Sequence, residues 1–321
     1  MTATLLMRMR SGSSSEEVRV VEEKPLVFER PVVAIEGLPD VGLVGTIATT
    51  FLVEKKGFKE IAYLESDLFP PVMVVHEGRL KNPFRIYGGY LTRDEAAEGE
   101  GGGGSNGGRS GGGGGSGESG EGRGGEKERK ERIEATARGE SEREEFKINT
   151  VLVLSEIAVP PYAVFPLTRA LSAWFKEKGV QLAISLTGLA VRNRMEIEEP
   201  EVFGVANSEA AVQELRKRGI EIFEEGFIAG IYASMLRECK AVSVDAIALL
   251  AQCFPAYPDP GAAASALKTL EKFVPLRVEV GELLKRAEEI KLKARDLMRQ
   301  TSIAASQMQK SAEQDLPIMY R

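Results

Sequence analysis

The chain has 321 residues, of which 43% are hydrophobic, and a formal net charge of −6. This acidic balance excludes a general attraction to nucleic acid or anionic lipid, so neither is an expected partner. Two cysteines and one histidine are too few for a disulfide framework or a zinc site, and no metal or cofactor is expected. No stretch is long and apolar enough to span a membrane, and we expect a cytoplasmic protein.

The first part of the chain alternates apolar runs with one helical stretch. After a leader or edge segment predicted over residues 1–30, the buried strand Val32–Glu36 leads through the glycine-rich turn Gly37–Gly45 into a helix ending near Lys55. Further strands are predicted, in chain order, at 61–64, 72–76 and 84–91.

Residues 94–146 interrupt this pattern with a segment that contains almost no apolar side chains. Glycine dominates its first half, and glutamate, lysine and arginine dominate its second. Ordering such a segment costs backbone entropy that no burial offsets, so we predict a disordered insertion. The strand at 84–91 precedes it and the apolar strand Ile148–Leu154 follows it, so the two strands are expected to pair across the insertion.

Beyond the insertion, strands and helices continue to alternate. One amphipathic helix is predicted over 163–178 before Gly179, and another between the N-cap residue Ser208 and Gly219. The remaining predictions are strands at 182–186, 202–206 and 244–252 and helices at 228–238 and 260–273. This alternation predicts an α/β domain over 31–275, a three-layer sandwich with a mostly parallel sheet.

A long helical pattern follows the domain over residues 280–312. Its apolar positions alternate spacings of four and three, which is a heptad seam with a period of 3.5 residues. The seam residues in question are Leu283, Ala287, Ile290, Ala294 and Leu297. Either an ordinary helix on the domain surface or helix–helix association between subunits would produce this pattern, and we predict the association.

The glycine-rich turn is the first candidate for a ligand site. Gly37, Gly42 and Gly45 lie between a strand and a helix, whose free N-terminal N–H groups attract anions. Their spacing matches neither the dinucleotide fingerprint nor the P-loop. The favoured interpretation is a tight turn that needs small residues for close packing.

No catalytic constellation is evident among the remaining polar residues. His76 stands at a strand end without a recognisable nucleophile, and Asp40, Glu156 and Asp245 show no spacing that pairs them. The run Arg192–Arg194 could bind an anion, but the favoured interpretation is a run of solvated loop residues. We therefore assign no catalytic residue and do not expect an enzyme.

The last residues, 313–321, are predicted to form a flexible tail. Pro317 ends any helix, and the sequence then finishes with Met319, Tyr320 and Arg321. Tyrosine is a rigid pocket anchor with a polar tip, and a free carboxylate is a strong hydrogen-bond acceptor. Such a tail is suited to occupy a pocket on a partner protein.

Several segments together resemble archaeal members of the proteasome assembly chaperone 2 family. They are Gly37–Gly45, Phe69–Pro71, His76–Arg79, Gly226–Gly230 and Tyr257–Ala264. The resemblance implies an α/β sandwich similar to nucleoside phosphorylases, without established catalysis, and a homo-oligomer, which we expect to be a trimer or tetramer.

The resemblance also implies a partner for the tail. Met319, Tyr320 and Arg321 would engage pockets between α-subunits of the 20S proteasome, where the carboxylate of Arg321 pairs with a lysine. The leading hypothesis is therefore an assembly chaperone or ATP-independent activator of the proteasome. The alternative is an enzyme or binding protein for a nucleoside- or nucleotide-like anion at the Gly37–Gly45 turn. A third, plainer hypothesis is a scaffold whose heptad helix serves only self-association.

Overall fold

The computed structural model describes residues 17–23, 26–91, 147–287, 289–292, 295 and 297–303. Its strands are β1 (Arg19–Glu22), β2 (Val27–Gly37), β3 (Lys59–Glu65), β4 (Val74–His76), β5 (Arg79–Lys81), β6 (Phe84–Gly89), β7 (Lys147–Ser155), β8 (Val180–Ala190), β9 (Val202–Ala206), β10 (Glu221–Ile222) and β11 (Asp245–Cys253). Its helices are α1 (Val44–Lys56), α2 (Val164–Glu177), α3 (Glu209–Lys217), α4 (Ile231–Ala241), α5 (Pro260–Leu270) and α6 (Val280–Lys285). The predicted insertion 94–146 lies outside the described residues.

Nine of these strands form one sheet in the order β1-β3-β6-β7-β2-β8-β11-β9-β10. The four central strands, β7, β2, β8 and β11, are parallel, while β6, β3 and β1 on one side and β9 on the other join them in antiparallel pairs. The parallel strands end at one edge of the sheet, at Ser155, Gly37, Ala190 and Cys253. We call this the carboxyl edge and the opposite edge the amino edge.

The helices cover both faces of the sheet, as the alternation of elements predicts. On one face α1, α3, α5 and α6 bury an apolar core, and on the other face α2 and α4 bury a second core. Neighbouring residues of a strand point to opposite faces, so Ile35 belongs to the first core and Ala34 to the second. The three-layer α/β fold is therefore confirmed.

The pairing predicted across the insertion is also present. Strands β6 and β7 are antiparallel neighbours, with Phe84 opposite Ser155 and Gly89 opposite Thr150. The chain therefore leaves β6 and enters β7 at the amino edge.

Two predicted helices have different limits in the structure. The stretch expected at 228–238 is helical only from Ile231, because Gly230 has a φ of +83°, which breaks the helical backbone before α4. The helix expected at 260–273 ends at Leu270. Its start follows the sequence signal, since the side chain of Asp259 accepts a hydrogen bond from the backbone N–H of Ala262 and Pro260 occupies the first turn.

The strand predicted at 72–76 lies outside the main sheet. It is shortened to β4 and pairs with β5 in a separate hairpin whose turn residues, Glu77 and Gly78, both have positive φ. Such turns match the right-handed twist of a two-stranded ribbon. Val75 and Leu80 are opposite each other in this hairpin and are 68% and 70% exposed.

The C-terminal helical segment packs along α1. Helical backbone begins at α6 and is present again at 289–292 and 297–303. Lys55 and Glu54, at the end of α1, form ion pairs with Glu282 and Arg286, the second with an N···O distance of 3.1 Å. Within the described part of the chain, none of the helices combines the length and hydropathy needed to cross a lipid bilayer.

Candidate functional site

The glycine-rich turn brings α1 into close contact with the central strands. A Cβ atom on Gly37 would overlap the carbonyl oxygen of Gly45, and one on Gly45 would overlap the carbonyl oxygen of Leu186 and lie 2.9 Å from Cα of Gly37. Both neighbours are backbone atoms, which cannot move aside as a side chain tip can. The glycines at 37 and 45 are thus explained by packing, in agreement with the tight-turn interpretation.

The middle of the turn has a left-handed backbone at two successive residues. Gly42 has a φ of +66° and Leu43 a φ of +49°. A Cβ atom on Gly42 would also lie 2.8 Å from Sγ of Cys253. The backbone carbonyl oxygen of Gly42 accepts a hydrogen bond from the N–H of Asp259. The turn is therefore held against the segment that follows β11.

A buried polar cluster lies next to this turn, at the carboxyl edge and on the α2/α4 face. Glu36, the penultimate residue of β2, is buried, and its Oε2 accepts a hydrogen bond of 2.7 Å from Ser185 on β8. The other carboxylate oxygen, Oε1, has no hydrogen-bond partner among the described residues. Burial disfavours the charged form and raises the pKa of Glu36 to about 7.

Asp40 and Tyr232 extend the cluster. Oδ2 of Asp40 accepts a hydrogen bond of 2.9 Å from Thr187, and burial raises the pKa of Asp40 to about 6. The hydroxyl of Tyr232, from the first turn of α4, donates a hydrogen bond of 2.7 Å to the carbonyl oxygen of Leu38. Burial and the nearby carboxylates raise the pKa of Tyr232 well above its usual value. Sequence reasoning missed this cluster, although an acidic residue within an apolar strand was a usable signal at Glu36.

The interpretation of Arg194 as a solvated loop residue is wrong. Arg194 is buried and forms a bidentate ion pair with Asp259, with N···O distances of 2.7 and 3.1 Å. Its guanidinium also lies 5.1 Å from the ring centroid of Phe254. Asp259 in addition accepts a hydrogen bond from the N–H of Ala262, so one carboxylate caps α5 and anchors the loop after β8.

The other polar candidates lie apart from one another. His76 is exposed on the β4–β5 hairpin, Glu156 forms an ion pair with Arg85, and Asp245 accepts a hydrogen bond of 2.6 Å from Ser208. Across the residues that the structure describes, no three His, Cys, Asp or Glu side chains come together in the manner of a metal site.

An apolar cavity of about 460 Å³ lies between part of α1 and the C-terminal helical segment. Its apolar lining comes from Leu43, Ile47 and Phe51 on one side and from Leu283, Ile290 and Leu297 on the other. These last three residues belong to the predicted heptad seam, and in this chain they face α1, with Leu283 fully buried. Ala287 is partly buried, whereas Ala294 and the tail residues Met319, Tyr320 and Arg321 lie outside the described residues. Association through the seam stays a prediction.

A model of the PAC2 family matches residues 34–298 of this sequence. The chain belongs to the PAC2 family. The resemblance noted in the sequence is thereby confirmed at the level of the family, and the matched region extends beyond α6 into the C-terminal helical segment.

Individual relatives of this PAC2-family chain agree with that assignment. It is 26% identical, over 285 residues, to an uncharacterized protein, MJ0106, of Methanocaldococcus jannaschii, covering 89% of this chain and 92% of that protein. Its structure is similar to that of Pyrococcus furiosus PbaA, described as an archaeal homolog of proteasome-assembly chaperone, with a TM-score of 0.67, 27% identity, and coverage of 90% and 99% of the two chains. It is also similar in fold to P. furiosus PbaB, described as an archaeal proteasome activator, with a TM-score of 0.59, 20% identity, and coverage of 88% and 99%.

Proposed function

We propose that this PAC2-family chain is a non-enzymatic, cytoplasmic partner of the 20S proteasome that acts without ATP. The observation that carries the proposal is the family match over residues 34–298, together with the similarity to PbaA along 90% of the chain. PbaA is described as an archaeal homolog of proteasome-assembly chaperone. A role in assembling the core or in opening its gate is the function that this relationship supports best.

The proposed contact with the proteasome is the tail Met319–Arg321. Tyr320 would fill an apolar pocket between α-subunits, and the carboxylate of Arg321 would pair with a lysine. A single tail of this kind binds weakly, but several tails on one homo-oligomer gain avidity through effective concentration. The helical segment that precedes the tail is anchored on the domain by Leu283 and by the ion pairs of Glu282 and Arg286, which supports a fixed starting point for each tail.

The experiment combines binding and activity with a recombinant archaeal 20S core. Full-length protein is compared with a version lacking Tyr320 and Arg321, and Ile318→Ala serves as the matched control next to the tail. Binding is measured by co-sedimentation and gate opening by peptide hydrolysis. We expect binding by the full chain and the control, and its loss on truncation. Stimulated hydrolysis would indicate an activator, and faster assembly of α-subunits a chaperone. Equal behaviour of all three proteins would refute the tail contact.

The alternative, a nucleotide-like anion at the Gly37–Gly45 turn, has less support. The space beside Gly37 and Gly45 is occupied by backbone atoms of this chain, and the acidic side chains of Glu36 and Asp40 line the neighbouring region. Carboxylates that can ionise near neutral pH repel an anion. Ligand screening at this turn becomes the next step only if the proteasome experiments fail.

A further inference from the structure

Most of the exposed large apolar side chains of the described chain lie at one edge of the sheet. They are Val72, Met73, Val75, Leu80, Tyr162, Phe165, Met195 and Tyr257. Single exposed apolar residues are ordinary on a protein surface. It is unusual for eight of them to share one location, and the topology of the sheet explains why they do.

The strand directions place all eight at the carboxyl edge. Strand β3 runs parallel to β7, because both are antiparallel to β6, so the β4–β5 hairpin between β3 and β6 projects from this edge. Tyr162 and Phe165 follow the end of β7, Met195 follows β8, and Tyr257 follows β11. From β3 to β11 the edge spans five strand spacings, or roughly 25 Å. The eight side chains therefore all lie along this edge, and we call them together the apolar edge.

The C-terminal helical segment approaches the same edge. It starts beside Glu54 and Lys55, at the amino-edge end of α1, and runs back along α1. Leu297 lines the cavity that also includes Leu43 and Glu156, both of which lie at the carboxyl edge. The last described residue, Ile303, therefore lies toward the side of the molecule that carries the apolar edge, and a fully extended chain of the length of residues 304–321 spans at most about 60 Å.

The long insertion is attached at the opposite edge. It joins Leu91, just beyond β6, to the start of β7 at Lys147, and both attachment points lie at the amino edge.

We infer that the apolar edge is a second contact surface, which lies against the α-subunits around the pocket that takes the tail. The inference rests on the proposed function, because a bound tail tethers its partner within reach of this edge and raises the local concentration of the second contact. The eight side chains are 44–89% exposed, and together they offer an area of the size that one partner contributes to a standard interface, roughly 800 Å². A surface of this extent suits a protein partner.

The test uses the full-length chain and charged substitutions at two exposed positions. Met195 and Tyr257 are 89% and 68% exposed, so Met195→Glu with Tyr257→Glu changes the surface without disturbing a core. Leu292→Glu is the control, because Leu292 is 72% exposed but lies on the C-terminal helical segment. Dissociation constants for the archaeal 20S core are measured by surface plasmon resonance, and molar mass is measured by light scattering.

We expect the double variant to bind about tenfold more weakly or worse than the unaltered chain, while Leu292→Glu binds normally and all three keep the same molar mass. If truncation of the tail abolishes binding but the double variant binds normally, the apolar edge is not a contact surface and the proposed function stands. A lower molar mass for the double variant would instead identify the edge as a contact between copies of this chain and overturn the inference. If the unaltered chain does not bind the core, both proposals fail.

Discussion

Replacing Glu36 by glutamine tests the physical reasoning about the buried polar cluster. The carboxyl group of Glu36 is buried, receives one hydrogen bond from Ser185, and has one oxygen without a partner among the described residues. Burial raises its pKa from the ordinary value of 4.5 to about 7. Glutamine keeps the acceptor for Ser185 and has nearly the same shape, but it cannot ionise.

The sign and size of the effect follow from proton linkage. Between pH 4.5 and pH 7 the folded protein retains a proton that the unfolded chain releases, so the free energy of unfolding falls as the pH rises. The fall is complete about one pH unit above the folded-state pKa of about 7 and amounts in total to about 3 kcal/mol for Glu36, of which about 1.4 kcal/mol falls between pH 6 and pH 8. Asp40, whose pKa is raised to about 6, acts in the same direction but mainly below pH 6. The interval from pH 6 to pH 8 therefore isolates Glu36.

The assay is urea unfolding at several pH values, followed by the fluorescence of Trp174. This is the single tryptophan of the chain, and it is buried on α2. We expect the unaltered protein to lose stability from pH 6 to pH 8, and Glu36→Gln to stay constant over that interval. Ser185→Ala removes the hydrogen bond that favours the charged form and should move the fall to higher pH. Identical slopes for the unaltered protein and Glu36→Gln would refute the reasoning.

Further substitutions test the packing at three places in the structure. Gly45→Ala should lower the free energy of unfolding by about 3 kcal/mol, because the new Cβ would overlap a backbone carbonyl of β8. Gly281→Ala should raise it by about 0.5 kcal/mol, because this helical position has no atom within 4 Å of a new Cβ. Chemical denaturation of both variants measures the difference. Asp259→Ala should lower the free energy of unfolding by about 3–5 kcal/mol, because it leaves Arg194 buried without a counter-charge. Adding Arg194→Met should restore part of this stability. A double-mutant cycle that shows no coupling between the two positions would contradict the pairing. Leu283→Ala should cost about 2–5 kcal/mol in thermal unfolding, and a neutral result would mean that this leucine is not buried in its own domain.

Much of the fold was predictable because its signals are local. A buried strand is a short apolar run bounded by turn residues, and a helix start such as Ser208 satisfies backbone N–H groups only three residues away. Interactions of this range depend on neighbouring residues in the chain. The pairing of β6 with β7 was also accessible, since two apolar strands flank one polar insertion.

The buried polar groups could not be predicted in the same way. Glu36 meets Ser185 because they are opposite each other on the neighbouring strands β2 and β8, and Arg194 meets Asp259 because the segments after β8 and β11 leave the same edge of the sheet. Both arrangements bring together residues that are far apart in sequence. A run such as Arg192–Arg194 resembles a solvated loop until the partner of Arg194 is known. The local sequence pattern does not indicate which charged residue will be buried.

The sequence by itself determined the order of strands and helices, the family resemblance and the composition of the terminal tail. Only the tertiary structure decided the direction in which the heptad seam faces, with Leu283 buried in the core of its own domain, and the gathering of exposed apolar residues at the carboxyl edge. The physical reason is that periodicity defines which residues share a face of a helix or strand, whereas the neighbour of that face depends on how the whole chain packs.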